Sequence, residues 1–116
     1  MRKILAGAAS LLLLIPSAAN AAGYMALASW YGPGFHGRTT ANGERYDQWG
    51  LTTAHKSLPF GTRVRVTNPR TGQSVVVRVN DRGPFIGARE YDLSRGAADA
   101  VGLTASGVAT LEFEIL

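Results

Sequence analysis

The segment Arg63 to Asn80 constrains the fold most. "RVRVT", 63–67, alternates strictly between charged or polar residues and valine, the period of a half-buried strand. "NPRTGQ", 68–73, is a turn punctuated by Pro69 and Gly72. "SVVVRVN", 74–80, pairs with the first run as a hairpin, and its three consecutive valines predict burial on both faces over part of its length. A small chain built around such a hairpin has strand edges to hide, and closing the sheet into a barrel hides them all. The chain has no cysteine, so neither disulfides nor thiolate–zinc sites can hold it together. Stability has to come from a well-closed core, because a domain of this size buries only about 60–70% of its unfolded surface.

Further strands follow the same reading. "ALASWY", 26–31, is a first strand, and "YDL", 91–93, is a very short one. In the closing strand "VATLEFEIL", Ala109, Leu111, Phe113 and Ile115 share one face, while Val108, Thr110, Glu112 and Glu114 share the other. The expected tally is five or six strands and one short helix. Ser94 is placed to cap that helix, Ala97, Ala98 and Val101 recur at helical spacing, and Gly102 fits its end. Between the first strand and the hairpin, Gly32, Gly34, Gly37 and Gly43 mark a shaped loop.

The chain is 116 residues long and reads as one domain preceded by a leader. Arg2 and Lys3, an apolar run from Ile4 to Ile15, the break at Pro16-Ser17 and Ala19-Asn20-Ala21 together predict a secretory signal peptide over residues 1–21. The apolar run is too short to span about 30 Å of hydrocarbon comfortably. Cleavage after Ala21 leaves residues 22–116, with ten basic residues against eight acidic ones and a net charge of +2. That is too little for a nucleic-acid binder, which concentrates basic charge in a stripe, and it is compatible with an anionic wall polymer. With no cysteine after the leader there is nothing to carry a lipid anchor, so the expected location is periplasmic or secreted, without a stable membrane anchor.

Three stretches carry titratable groups. "FHGRTTANGERYD", 35–47, holds His36, Arg38, Glu44 and Asp47. Two carboxylates near an aromatic could form half of a sugar-cleaving site, which needs one acid to protonate the leaving oxygen and usually a second carboxylate to assist. Equally, Asn42-Gly43 makes a turn and both acids face water. "LTTAHKSLPFGT", 51–62, holds His55, a structural histidine or one that tunes a neighbouring acid. His36 and His55 lack any metal-ligand spacing, so no metal and no cofactor is expected. "VNDRGPFIGAREYDLS", 79–94, holds Asp81 and Asp92. Strand alternation points Arg82 away from Asp81 and leaves Asp81 free to enter a cleft; the plain alternative is a turn at Gly83-Pro84. Asp92 sits just before the helix, where an acid is stabilised by free amides. Trp30, Tyr31, Phe35, Tyr46 and Trp49 gather near the glycine loop, and one of Trp30 and Tyr31 belongs to the core.

"ASWYGPGFHGRTTANGERYD", "LTTAHKSLPFGTRVRVTN", "VVVRVNDRGPF" and "YDLSRGAADAVGL" resemble the double-psi β-barrel domain of the rare lipoprotein A family, from about Ala28 to Leu116. More distantly the layout is similar to expansin domains and to the barrel of membrane-bound lytic transglycosylase A. The resemblance implies a mainly β, six-stranded double-psi barrel with one short helix and a groove across one face. It implies a periplasmic, endolytic peptidoglycan lytic transglycosylase that prefers glycan strands without stem peptides and leaves 1,6-anhydro ends. Division or wall-remodelling proteins are the protein partners such a role suggests.

Mapped by motif, the implied site falls on Glu44, Asp47, His55 and Asp81, all expected to meet at one trench, with Asp81 as the acid–base; in the distant cousins the acid corresponds to Asp92. Tyr31, Phe35, His36, Arg38, Asn42 and Arg82 are the expected substrate-binding residues. Against the family's pattern, the expectation is a protein without the lipid-anchoring cysteine and without the C-terminal peptidoglycan-binding repeat found in many members. The alternative function is an expansin-like module that grips or loosens wall polysaccharide without cutting it.

Overall fold

The computed structural model describes residues 23–116; the expected signal peptide lies outside the described residues. Six strands form one closed barrel: β1 (Tyr24–Trp30), β2 (Thr52–His55), β3 (Arg63–Thr67), β4 (Ser74–Asp81), β5 (Tyr91–Leu93) and β6 (Val108–Ile115), with helix α1 (Arg95–Val101) between β5 and β6. The order around the barrel is β1-β5-β2-β4-β3-β6, so every strand has two neighbours and no edge is left open. The pairs β1/β5 and β2/β4 are parallel and the other four are antiparallel. This is the six-stranded barrel with one short helix that the sequence leads one to expect.

The β3/β4 hairpin pairs Arg63 with Arg78 through Thr67 with Ser74, as the alternation requires. Val64, Val66, Val77 and Val79 turn inward and join Ala28, Leu93, Leu111 and Phe113 in the core. Tyr91 and Phe113 stack at its centre, ring centroids 3.8 Å apart and 5° from parallel. Burying these apolar side chains, at roughly 1.5–3 kcal/mol for each large one, supplies what disulfides supply elsewhere. The valine run is less buried than expected: Val75 and Val76 are half-buried because the start of β4 projects towards the turn.

The first strand begins two residues earlier than expected and stops at Trp30, whose indole packs on the core and donates to Thr104 O at 3.2 Å. Helix α1 is short, and local chemistry sets its limits. Ser94 Oγ accepts from Ala97 N, and Gly102, at φ 75°, closes the end in a left-handed conformation that costs a side-chain-bearing residue energy. Asn68 in the hairpin turn donates to Val101 O at 2.8 Å and fastens the helix end to the barrel. Ala97, Ala98 and Val101 are the helix face that meets the core.

Candidate active site

The site is a row of four residues crossing four strands. Ser29 on β1 is in register with Asp92 on β5, Asp92 with Ala54 on β2, and Ala54 with Asp81 on β4. Neighbouring strands lie about 4.8 Å apart, so the two aspartate Cα atoms are about 10 Å apart with only a methyl group between them. A bulge makes this possible. Thr53 pairs with Val79, yet Ala54 pairs with Asp81, so Asn80 is the extra residue. Strict alternation would put Asp81 on the same side as core residue Val79; the bulge re-aims it.

Asp81 and Asp92 line one cleft of about 320 Å³ together with Tyr31, Phe35, Arg38 and Arg82. That lies at the small end of ligand sites, about 300–1,000 Å³. Thr39, Thr40, Tyr46, Ala54, Gly83 and Pro84 complete the wall.

Three donors converge on Asp81. Tyr31 Oη donates at 2.5 Å, Ala41 N at 2.8 Å and Arg82 N at 2.9 Å. Tyr31 remains a donor, because burial and then its bond to Asp81 raise its pKa far above the ordinary tyrosine range. Its ring stacks on the buried Tyr46, centroids 4.4 Å apart, and meets Phe35 edge-on at 5.9 Å. Tyr46 Oη accepts from Arg95 N, which ties this aromatic stack to helix α1.

Asp92 has a different environment. Among the described residues its one side-chain partner is Ser29 Oγ, at 3.0 Å. Burial raises its pKa; the Ser29 bond and Arg89 oppose the rise, and the nearby charge of Asp81 adds to it. Among the described residues its carboxylate accepts from no helix amide. Two carboxyl groups on one cleft thus sit in contrasting settings, one gripped by donors and one desolvated.

The expectation that Glu44, Asp47, His55 and Asp81 meet at one trench is corrected: only Asp81 lines the cleft. Glu44 is held by Arg78, Nη1 at 2.7 Å and Nη2 at 2.9 Å, and by Asn42 and Asn80. Its pKa falls to about 2, chiefly through the Arg78 hydrogen bonds. Asp47 turns back to accept from Trp49 N at 3.0 Å. His55 follows Ala54 on β2, so alternation sends its ring to the other face. There it packs on Tyr91 at 4.7 Å and approaches Glu90 at 3.2 Å, while Nδ1 accepts from Ser57 N and Leu58 N.

His36 and Asn42 also lie away from the cleft lining. His36 Nδ1 accepts from Gln48 N, and Asn42 closes the turn with Thr40 and Glu44. The Asn42-Gly43 turn forms as expected, with Gly43 at φ 96° and a Thr39–Arg45 bridge behind it. Alternation fails for Arg82, which shares the cleft with Asp81 because β4 ends at Asp81.

Sequence reasoning did not single out Ser29, Ala54, Glu90 or the Ala41 amide. Ser29, Ala54 and Ala41 stand in no charged motif, and only the strand register assigns the first two a place; Glu90 lies within the 79–94 stretch, between the aspartates that drew attention to it. Among the described residues no group of three or more His, Asp or Glu is placed to hold a metal ion.

The family model described as "Lytic transglycolase" matches residues 24–113. The probable endolytic peptidoglycan transglycosylase RlpA of Synechocystis sp. is 67% identical over 90 residues, 78% of this chain and 28% of that protein. The endolytic peptidoglycan transglycosylase RlpA of Campylobacter jejuni is 54% identical over 90 residues, 78% of this chain and 33% of that protein. The chain therefore spans a third or less of the length of these relatives. Among solved structures, the Streptomyces papain inhibitor aligns with a TM-score of 0.62 at 19% identity, covering 82% of this chain and 96% of that one. A Clavibacter michiganensis expansin in complex with cellohexaose aligns with a TM-score of 0.62 at 20% identity, covering 80% and 50%. At such identities these two likenesses speak for the fold alone. With a matching family model over most of the barrel and relatives at more than half identity, the chain belongs to the lytic transglycolase family, on an RlpA-like double-psi β-barrel.

Proposed function

We propose that this domain is an exported endolytic lytic transglycosylase that cleaves the glycan strands of peptidoglycan, acting in the periplasm or outside the cell after removal of residues 1–21. The observation that carries the reading is the pair of carboxyl groups, Asp81 and Asp92, on one cleft in contrasting environments. Relatives bearing that activity in their names share 54–67% identity over this segment.

Asp92, biased by burial towards its protonated form, is the better proton donor. It protonates the O4 leaving oxygen as the C1–O4 bond of a muramic acid residue breaks. The C6 hydroxyl of the same sugar attacks C1, and its proton passes to the Asp81 carboxylate. The products are a 1,6-anhydromuramic end and a new C4 hydroxyl, with no water consumed. Exchange with solvent returns the proton to Asp92. This division of labour moves the donor role from Asp81 to Asp92 and keeps Asp81 as the acceptor.

Tyr31 and the Ala41 amide fix the Asp81 oxygens. Glu44 acts at one remove, by bracing the Thr39–Arg45 turn that presents Ala41. Asp47 and His55 are assigned positioning roles in their own connections, Asp47 accepting from Trp49 N and His55 Nδ1 from Ser57 N, away from the cleft lining. Tyr31, Phe35, Arg38 and Arg82 line the path of the sugar, and His36 and Asn42 shape the loop that carries them.

The test is product identity. Residues 22–116 are incubated with peptide-free glycan strands and with intact sacculi, and the products are read by mass spectrometry. Anhydro ends are the expected result. Hydrated reducing ends would make the protein a hydrolase. Strands retained but uncut would make it an expansin-like binding module.

A further inference from the structure

Arg82 is the most tightly placed cation on the cleft, and it makes no ion pair among the described residues. Its guanidinium lies 3.9 Å from the centroid of the Phe60 ring, close enough for cation–π attraction. Nη1 reaches His55 O at 3.3 Å, and the side chain is half-buried. Nε and Nη2 have no acceptor among the described residues, so the planar fork is held from one side with donors to spare. Arg38, from the glycine loop, lines the same cleft beside Phe35 and makes no ion pair among the described residues. Away from the cleft three guanidinium groups do pair, Arg78 with Glu44, Arg65 with Glu114 and Arg95 with Asp99, while Arg45, Arg63, Arg70 and Arg89 make no ion pair among the described residues; what sets Arg82 and Arg38 apart is their place on the cleft.

The charges lining the cleft do not cancel when Asp92 holds its proton. Two guanidinium groups, Arg38 and Arg82, then share the cleft with one further carboxyl group, Asp81. An anionic ligand group would restore the balance. It must sit within reach of the two aspartates, hence on the sugar being cut.

We propose that Arg82, assisted by Arg38, is a carboxylate-reading subsite that takes the free lactyl carboxylate of a muramic acid residue from which the stem peptide has been removed. The proposal rests on the peptidoglycan reading above and adds a specificity device to it. In a substituted strand the lactyl group is an amide: it has no charge and offers one oxygen, so it cannot accept a bidentate pair of charge-assisted bonds. A site built around a charged donor rejects the neutral analogue, because its own polar group is left without a partner. Selection for bare strands would then reside in the barrel itself.

The experiment measures binding and needs no turnover. Residues 22–116 are titrated calorimetrically with peptide-free glycan fragments, as the free acid and with the lactyl carboxylates converted to methylamides. The free acid is expected to bind about tenfold or more tightly, with the advantage shrinking at high salt. In Arg82→Gln the ratio should fall towards one; Arg82→Lys should retain part of it, and circular dichroism checks the fold of both. Equal affinity of the wild-type protein for the two fragments, or an unchanged ratio in folded Arg82→Gln, overturns the proposal. A lack of measurable binding to either fragment also overturns it. A free-acid preference without strand cleavage would uphold the subsite and remove the lyase reading, so the two failures are distinguishable.

Discussion

At the scale of single residues, the two aspartates differ in what neutralising them should do. The folded pKa of Asp92 lies above its unfolded value of 3.8, so over that window the native state holds a proton the unfolded chain has lost. Stability therefore falls as pH rises from the unfolded value through the folded pKa. Asp92→Asn should raise the urea midpoint at pH 7 while turnover falls about 10²–10⁴-fold, the usual size of a general-acid contribution; a lowered midpoint would contradict the burial argument. Glu44 has the opposite sign. Its folded pKa is depressed to about 2 from 4.5, so its stabilisation is complete above the unfolded value and is lost as pH falls towards 2. Because the Glu44–Arg78 pair is exposed, Arg78→Ala should cost only about 0.5–1 kcal/mol at pH 7, a difference that shrinks in urea titrations at pH 3. The sequence made Asp81 and Asp92 visible as candidates, since both border short apolar strands. It could not show that Glu44 is occupied by Arg78, 34 residues away, or that His55 faces Glu90, because both facts depend on partners brought in by the barrel.

At the scale of elements, legibility follows how local the signal is. Helix α1 could be read because its cap, apolar spacing and terminal glycine lie within nine residues. Ser94→Ala should remove the cap and cost about 1 kcal/mol, or about 4–8 °C in Tm for a domain of this size, as seen by calorimetry. Strand β2 was the hard case. Thr52, Thr53, Ala54 and His55 are all buried, so no alternation marks them, and four residues are too few for periodicity to speak. Yet β2 carries the centre of the site. Ala54 is the small residue between two carboxyl groups, and Ala54→Leu should fill that gap. Its expected signature is a loss of turnover of tenfold or more on glycan strands with the folded far-ultraviolet spectrum retained; full turnover in the folded variant would place the reacting sugar elsewhere.

At the scale of the whole molecule, a barrel could be argued from the need to hide edges, but the order β1-β5-β2-β4-β3-β6 could not. That order is what brings Asp81 and Asp92, on strands separated along the chain by a loop, to either side of β2. The bulge at Asn80 leaves no mark in composition or spacing, although it decides which side of the sheet Asp81 serves. Closure, register and bulge together produce one cleft with two unlike carboxyl groups, which are proposed to act as a pair. The most direct test is the rate of release of anhydro-ended product from peptide-free strands by wild type, Asp81→Asn and Asp92→Asn, each verified as folded. Both variants should lose at least about a hundredfold. Near-wild-type release by either folded variant would contradict their acting as a pair.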